Sequence, residues 1–240
     1  MEPLTKKHQL NIEPEFLCDE LKSDVKLIDG QTWVSNVFVE LPIILNERTQ
    51  LNSICNQSFL KKKSIIENNM KLKNYESVLN FLDSHKKFQF FNKYVNEIHR
   101  NVSDKRYYKL LKDVITSNQT DKNYKEDILS LIRLGNNPRL MMNKNDAIFF
   151  SNLQDKFKIW RGVQIYHHDM KNIQDFNGIH WSLSRDKASW FAKRFENNKN
   201  SVLFEVEINK YDVFAFLNER NEQEIVIDNF EVKNLNYKII

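Results

Sequence analysis

The sequence is poor in glycine, proline and cysteine. Its 240 residues include four Gly, four Pro and two Cys. Cys18 and Cys55 are too few for a disulfide scaffold or a cysteine-based zinc site, so we expect reduced, buried thiols, although one disulfide is formally possible. Because glycine is so scarce, each one is expected to mark a backbone constraint.

Targeting segments and metal-ligand clusters are also missing. No apolar run approaches the roughly 18–20 residues of a membrane-spanning helix, and the first sixteen residues lack the apolar region of a secretory signal. We therefore expect a cytoplasmic protein with no membrane partner. The adjacent His167 and His168 would point to opposite faces of a strand, which makes a poor metal pair, so no metal is expected.

The residues that are present suit an ordinary globular protein. Hydrophobic residues make up 41% of the chain and aromatic residues 12%, enough for a sizeable core. The net charge is +4, and because residues 151–240 hold equal numbers of basic and acidic side chains, the surplus lies before them. Such an excess can assist binding to nucleic acid, or it can be simply a solvated surface.

The hydrophobic period changes along the chain. Apolar residues keep to one helical face in the stretches 75–82, 91–98, 107–114 and 124–132, with Gly135 as the expected cap of the last helix. A further helix is possible over 146–155. Alternation with a period of two then predicts strands over 158–165, 201–208, 224–228 and 230–240, and the spacing over 185–195 predicts a helix. Short strands are also possible around residues 32–45.

This switch predicts an α+β protein with a helical N-terminal region, residues 1–140, and a strand-rich region, residues 141–240. The basic N-terminal region is a candidate docking module for a target or a partner.

Three segments of the strand-rich region carry candidate chemistry. Trp160-Arg161-Gly162-Val163 places an arginine inside an apolar strand, where it needs an anion or a buried partner, and Gly162 would let a flat ligand approach the backbone. Gly178-Ile179-His180-Trp181-Ser182-Leu183-Ser184 puts two hydroxyls on one side of an extended segment. Glu222-Gln223-Glu224 puts two carboxylates at the mouth of an apolar strand.

Each segment alone also has a plain structural explanation. Arg161 would pair with a surface carboxylate, and Ser184 would be the N-cap of the following helix. Glu222 and Glu224 would be an ordinary acidic surface pair.

The order and spacing of the three segments resemble the R-S-E class of ADP-ribosyltransferases, the cholera-toxin-like group. Ser182 follows Arg161 by 21 residues, and Glu224 follows Ser182 by 42. The resemblance covers about residues 157–240 and departs from many members at Leu183. It implies a small two-sheet antiparallel β-rich catalytic domain and NAD as substrate.

The resemblance also implies a role for each matched residue. Glu224 would stabilise the positive charge that develops when the nicotinamide–ribose bond breaks, and Ser182 would orient its carboxylate. Arg161 would hold NAD through its phosphates or ribose, and the backbone of Gly162 would bind the nicotinamide amide. Glu222 would take a proton from the acceptor.

Two further residues receive smaller roles from the resemblance. Trp181 would line the NAD pocket or belong to the core, and Ser184 would support the site.

Three functions follow from this resemblance. The first is mono-ADP-ribosyl transfer to a macromolecule, a protein arginine or an RNA base, by a toxin of a toxin–antitoxin or phage-defence system, with a cognate antitoxin as partner, or by a phage effector. The second is an NAD glycohydrolase that depletes NAD with water as acceptor. The third is a catalytically inactive binding module, which the presence of Arg161, Ser182 and Glu224 disfavours.

Overall fold

The computed structural model describes residues 18–28, 31–36, 38, 40–43, 48–117, 124–176, 178–194, 199–228 and 236–240. Over these residues the protein is a mixture of helices and antiparallel sheet, which confirms the α+β prediction. The chain forms two compact units, Met1–Lys93 and Tyr94–Ile240. The domain division between residues 140 and 141 stays a prediction.

The first unit combines helices with a small antiparallel sheet. Its described elements are α1 (Asp19–Lys22), β1 (Val25–Ile28), β2 (Gln31–Ser35), β3 (Glu40–Ile43), α2 (Arg48–Lys71), α3 (Tyr75–Phe81) and the first part of α4 (Ser84–Asn101). The strand order is β1-β2-β3, with Val25 opposite Val34. Leu21, Val34 and Phe59 form a small buried core. Strands β2 and β3 confirm the expected short strands over 32–35 and 40–43, whereas residues 37, 39, 44 and 45 lie outside the described residues.

The second unit begins with helices whose apolar stripes over 107–114 and 128–132 are buried, as the periodicity predicts, whereas Tyr124 of the predicted stripe is exposed. It contains the rest of α4, α5 (Asp104–Ser117), α6 (Lys125–Leu134), a 3₁₀ turn (Pro138–Met141) and α7 (Lys144–Ser151). The hydroxyl groups of Tyr107 and Tyr108 on α5 donate to the carbonyl oxygens of Leu131 and Ile132 on α6, at 2.7 and 2.8 Å. These bonds hold α6 against α5.

Gly135 ends α6, as expected, but in an extended conformation instead of the left-handed one that usually selects glycine at this position. A Cβ on Gly135 would lie 2.8 Å from the Tyr108 ring. The glycine is therefore needed because the Tyr108 side chain fills the space beside it.

The strands of the second unit form one antiparallel sheet of order β7-β8-β5-β4-β6-β9. The remaining elements of the unit, which include two more 3₁₀ turns, are β4 (Lys156–Tyr166), a turn (His167–Phe176), β5 (His180–Ser182), α8 (Arg185–Lys193), β6 (Lys199–Asn209), a turn (Lys210–Asp212), β7 (Val213–Leu217), β8 (Glu224–Ile227) and β9 (Asn236–Ile239). Buried side chains of this sheet, among them Ile159, Phe204 and Ile225, make the main core. The predicted alternation over 230–235 and Phe195 of the predicted helix lie outside the described residues.

A two-sheet arrangement was expected for this region, and over the described residues the strands instead belong to a single sheet. One backbone pair in the middle of the sheet joins its two halves. Strand β4 pairs with β6 along its whole length, from Lys156 opposite Asn209 to Tyr166 opposite Lys199, but meets β5 at one pair, Trp160 opposite Ser182. Beyond that pair the two halves of the sheet separate.

Helix α8 packs directly on β4. A Cβ on Gly162 would lie 1.7 Å from the carbonyl oxygen of Ala188 and 2.8 Å from the backbone nitrogen of Ala192. Since both are backbone atoms of α8, only glycine lets the helix approach the strand this closely. Among the helices that the structure describes, none combines the length and apolar character needed to cross a bilayer.

Candidate active site

A cleft of about 440 Å³ opens where β4 and β5 separate. Arg161 and Gly162 line it from β4, His180 and Ser182 from β5, and Glu222 and Glu224 from the loop before β8 and the start of that strand. The carboxyl end of α5 and one side of α8 complete its walls. The volume lies within the range of roughly 300–1,000 Å³ typical of small-molecule sites.

Glu224 is the buried anion of this cleft. It is the first residue of β8 and lies between two strands, opposite Ser182 on β5 and Leu217 on β7. Only 8% of the residue is exposed. Burial would raise the pKa of its carboxyl group, but the imidazole of His180 and the guanidinium of Arg220 outweigh burial and hold that pKa below the ordinary value. Glu224 is therefore ionised at neutral pH despite its burial.

His180 holds the Glu224 carboxylate from β5. Its Nδ1 lies within hydrogen-bonding distance of Glu224 Oε1. Because an ionised carboxylate only accepts, Nδ1 must carry the hydrogen in either charge state of the ring. The other ring nitrogen, Nε2, is buried and has no hydrogen-bond partner among the described residues. An orphaned polar atom beside a cleft is a ready partner for a polar ligand.

Arg161 is one of three arginines that line the cleft, together with Arg194 and Arg220. Its Nη1 donates to the carbonyl oxygen of His180 at 2.5 Å, and its guanidinium lies so close to Gly178 that a Cβ there would be 2.8 Å from Nη2. Burial lowers the pKa of Arg161 to about 10, and the negative charge of Glu224 opposes this lowering. Arg161 thus keeps its charge at neutral pH and faces an anion across the cleft.

Ser182 fixes the backbone that leads into Glu224. Its Oγ donates to the carbonyl oxygen of Glu222 at 2.8 Å and accepts from the backbone N–H of Ser184 at 3.0 Å. The backbone N–H of Leu183 also donates to the carbonyl oxygen of Gln223 at 2.9 Å. The resemblance implied that Ser182 orients the Glu224 carboxylate. In the structure its hydroxyl instead binds the backbone two residues before Glu224.

Glu222 and Arg220 form the outer edge of the cleft. Arg220 Nη2 lies 2.9 Å from Glu222 Oε2 and 3.4 Å from Glu224 Oε2, so it bridges the two carboxylates. Arg220 Nη1 donates to the carbonyl oxygen of Thr116, in the last turn of α5, at 2.5 Å. Asn221 and Gln223, on either side of Glu222, have positive φ, and this tight turn presents Glu222 toward the cleft.

The other predicted residues have clear structural roles. Gly162 lines the cleft, and its Cα side is covered by α8. Trp181 lines the cleft and belongs to the sheet core, with its indole N–H donating to the carbonyl oxygen of Gly178 at 2.8 Å. Ser184 is the N-cap of α8, accepting from the backbone N–H of Lys187 at 3.3 Å.

Three groups of this site were not expected from the sequence: His180, Arg220 and the end of α5. His180 could have been predicted from the sequence, because positions 180 and 182 of an extended strand share a face and Ser182 was already a candidate. Arg220 lies in a turn without periodicity, and Thr116 precedes the expected catalytic region. Within the described ranges, no group of three or more His, Cys, Asp or Glu side chains is arranged to hold a metal ion. Cys18 is a free, half-buried thiol.

Comparisons with known proteins returned no relatives. No family model matches the chain, and neither the curated proteins nor the solved structures contain a significant match.

Proposed function

We propose that this protein is an ADP-ribosyltransferase that uses NAD as substrate, with residues 157–240 forming an ADP-ribosyltransferase fold. The observation that carries the proposal is the convergence of Arg161, Ser182 and Glu224 on one cleft, although they come from three different strands. The same three residues have the sequence spacing that resembles the R-S-E class.

The chemistry of the cleft suits NAD. Arg161 supplies a half-buried cation for the anionic or hydroxyl oxygens of the dinucleotide. Trp160, Trp181 and Phe191 supply aromatic surface along the walls. His180 Nε2 supplies a buried polar atom that has no partner among the described residues. Together these groups would hold one end of a molecule that is partly charged, partly aromatic and rich in hydroxyl groups.

Glu224 is the residue that would accelerate bond cleavage. Breaking the nicotinamide–ribose bond of NAD develops positive charge on the sugar, and a fixed anion beside that charge stabilises the transition state more than the ground state. Glu224 is suited to this task because it is ionised and buried, and because His180 and Arg220 fix its position before any ligand binds. Ser182 contributes by holding the backbone turn before β8 in place.

Glu222 is the residue that would serve the acceptor. It is less buried than Glu224, with 27% of its side chain exposed, and it stands at the edge of the cleft. An acceptor nitrogen arriving from solvent would meet Glu222 first and pass a proton to it. We propose an acceptor on a macromolecule, a protein arginine or an RNA base, and a toxin or effector role in the cytoplasm with a cognate antitoxin.

NAD hydrolysis is the second candidate function. It is favoured by the ion pair between Arg220 and Glu222, which keeps the acceptor-side carboxylate occupied by a residue of the same chain. Water needs no such carboxylate to reach the ribose.

The experiment that separates these functions uses NAD labelled in its ADP-ribose part. The purified protein is incubated with labelled NAD and cell extract, and the products are then treated with RNase or protease. Label that RNase releases identifies an RNA acceptor, and label that protease releases identifies a protein acceptor. Free ADP-ribose as the sole labelled product would establish hydrolysis, and unreacted NAD would refute both functions. Glu224→Gln protein is the matched control.

A further inference from the structure

We infer that Arg220 is a self-modification site: the guanidinium of this chain's own Arg220 accepts ADP-ribose in cis. The inference rests on the proposed function and extends it by naming an acceptor within the protein.

The position of Arg220 is the first argument. Its Nη2 lies 2.9 Å from Glu222 Oε2, the carboxylate suited to receive a proton from an acceptor, and 3.4 Å from Glu224 Oε2, the carboxylate suited to stabilise the ribose. A guanidinium nitrogen held by both carboxylates stands where an acceptor nucleophile is needed. The structure thus places a guanidinium acceptor in the cleft before any external acceptor arrives.

The attachment of Arg220 is the second argument. Its Nη1 donates to the carbonyl oxygen of Thr116 at 2.5 Å. Both terminal nitrogens of the guanidinium are therefore held, Nη1 by this carbonyl and Nη2 by the two carboxylates. The contact with α5 holds the guanidinium over the cleft instead of letting it extend into solvent. Half of the side chain, 51%, is nevertheless exposed, which leaves room beside it for an incoming group.

The reaction is balanced without any further reactant. The bond between the ribose C1 of NAD and the nicotinamide nitrogen breaks, and a bond between that carbon and a guanidinium nitrogen of Arg220 forms. Nicotinamide leaves neutral with the electron pair of the broken bond. Glu222 takes the proton that the guanidinium loses and releases it to solvent.

The test is a peptide map of the full chain after incubation with NAD. The expected result is one ADP-ribosyl group per chain, located on Arg220, formed at a rate constant that does not depend on protein concentration. Arg220→Lys should abolish the label at position 220. The matched control is Arg133→Lys: Arg133 is also about half exposed, at 50%, and is paired with the carboxylate of Asp228, but it does not line the cleft, so the label on Arg220 should persist.

Four outcomes overturn the inference. Nicotinamide release without label on Arg220 would refute it while leaving the proposed function intact. Equal labelling of Arg133 and Arg220, or labelling by free ADP-ribose, would mean non-enzymatic glycation. No nicotinamide release would refute the proposed function and this inference with it.

Discussion

The close packing of α8 on β4 makes Gly162→Ala a sharp test of the site's geometry. The new methyl group would lie 1.7 Å from the Ala188 carbonyl oxygen and 2.7 Å from its carbonyl carbon, distances that force α8 to withdraw by more than about 1 Å. Both atoms belong to the helix backbone, so no side-chain rotation relieves the contact.

Overpacking of this kind costs about 1–3 kcal/mol, and a backbone collision belongs at the upper end of that range. For a chain of this size, about 3 kcal/mol lowers Tm by roughly 6–12 °C. The measurement is thermal unfolding followed by circular dichroism. A Tm within about 1 °C of the parent would show that α8 does not lie against Gly162 and would undo this account of the glycine.

Gly178→Ala is the matched control. Its Cβ would meet the tip of the Arg161 side chain, 2.8 Å from Nη2, instead of backbone, so the guanidinium can move aside at little cost in stability. We expect a nearly unchanged Tm and a loss of nicotinamide release, because Arg161 is displaced from the cleft. A large fall in Tm with full activity would contradict the distinction between Gly162, which lies against backbone, and Gly178, which lies against a side chain.

Three further predictions concern the carboxylates. Glu222→Gln should lower transfer to an added guanidino compound by roughly 10²–10⁴-fold while NAD hydrolysis continues, measured as the ratio of adduct to free ADP-ribose; parallel losses would refute the acceptor-side role. His180→Ala should raise the pKa of Glu224, because the imidazole lowers it, so the acidic limb of the kcat/KM–pH profile should move to higher pH. An unmoved limb would exclude this coupling. Since the folded-state pKa of Glu224 lies below its ordinary value of 4.5, its ionised form stabilises the fold above about that pH, and this contribution is lost as the pH falls through the lowered pKa. Glu224→Gln should therefore lose less stability than the parent in acid-unfolding experiments, and equal losses would contradict the sign.

Much of the fold follows from periodicity in the sequence. The stripe on α5 is buried as predicted, because a single amphipathic face leaves one packing solution. The alternation over β6 likewise places Val202, Phe204 and Val206 in the core. Strand β1 was not expected, and the single sheet was not either, because local pattern does not encode how strands from distant segments join.

Only part of the candidate active site could be predicted from the sequence, for a related reason. Arg161, Ser182 and Glu224 could be proposed from their spacing, and the structure brings all three to one cleft. The hydrogen bonds they make could not be proposed, since Ser182 binds a backbone carbonyl two residues before Glu224. The bridge that Arg220 forms between the carboxylates of Glu222 and Glu224 depends on a turn with two positive-φ residues. Such a turn has no hydrophobic periodicity by which the sequence could predict it.

The most direct test of the central claim is nicotinamide release from NAD by the purified protein, compared with its Glu224→Gln variant. Glutamine keeps the size of the side chain and can still accept from His180 Nδ1, but its amide NH2 then faces Arg220 Nη2, so the variant removes the charge and the contact with Arg220. We predict release by the parent and a roughly 10²–10³-fold lower rate in the variant, the loss expected when one preorganised electrostatic contact to the transition state is removed. Equal rates, or no release by either protein, would contradict the account.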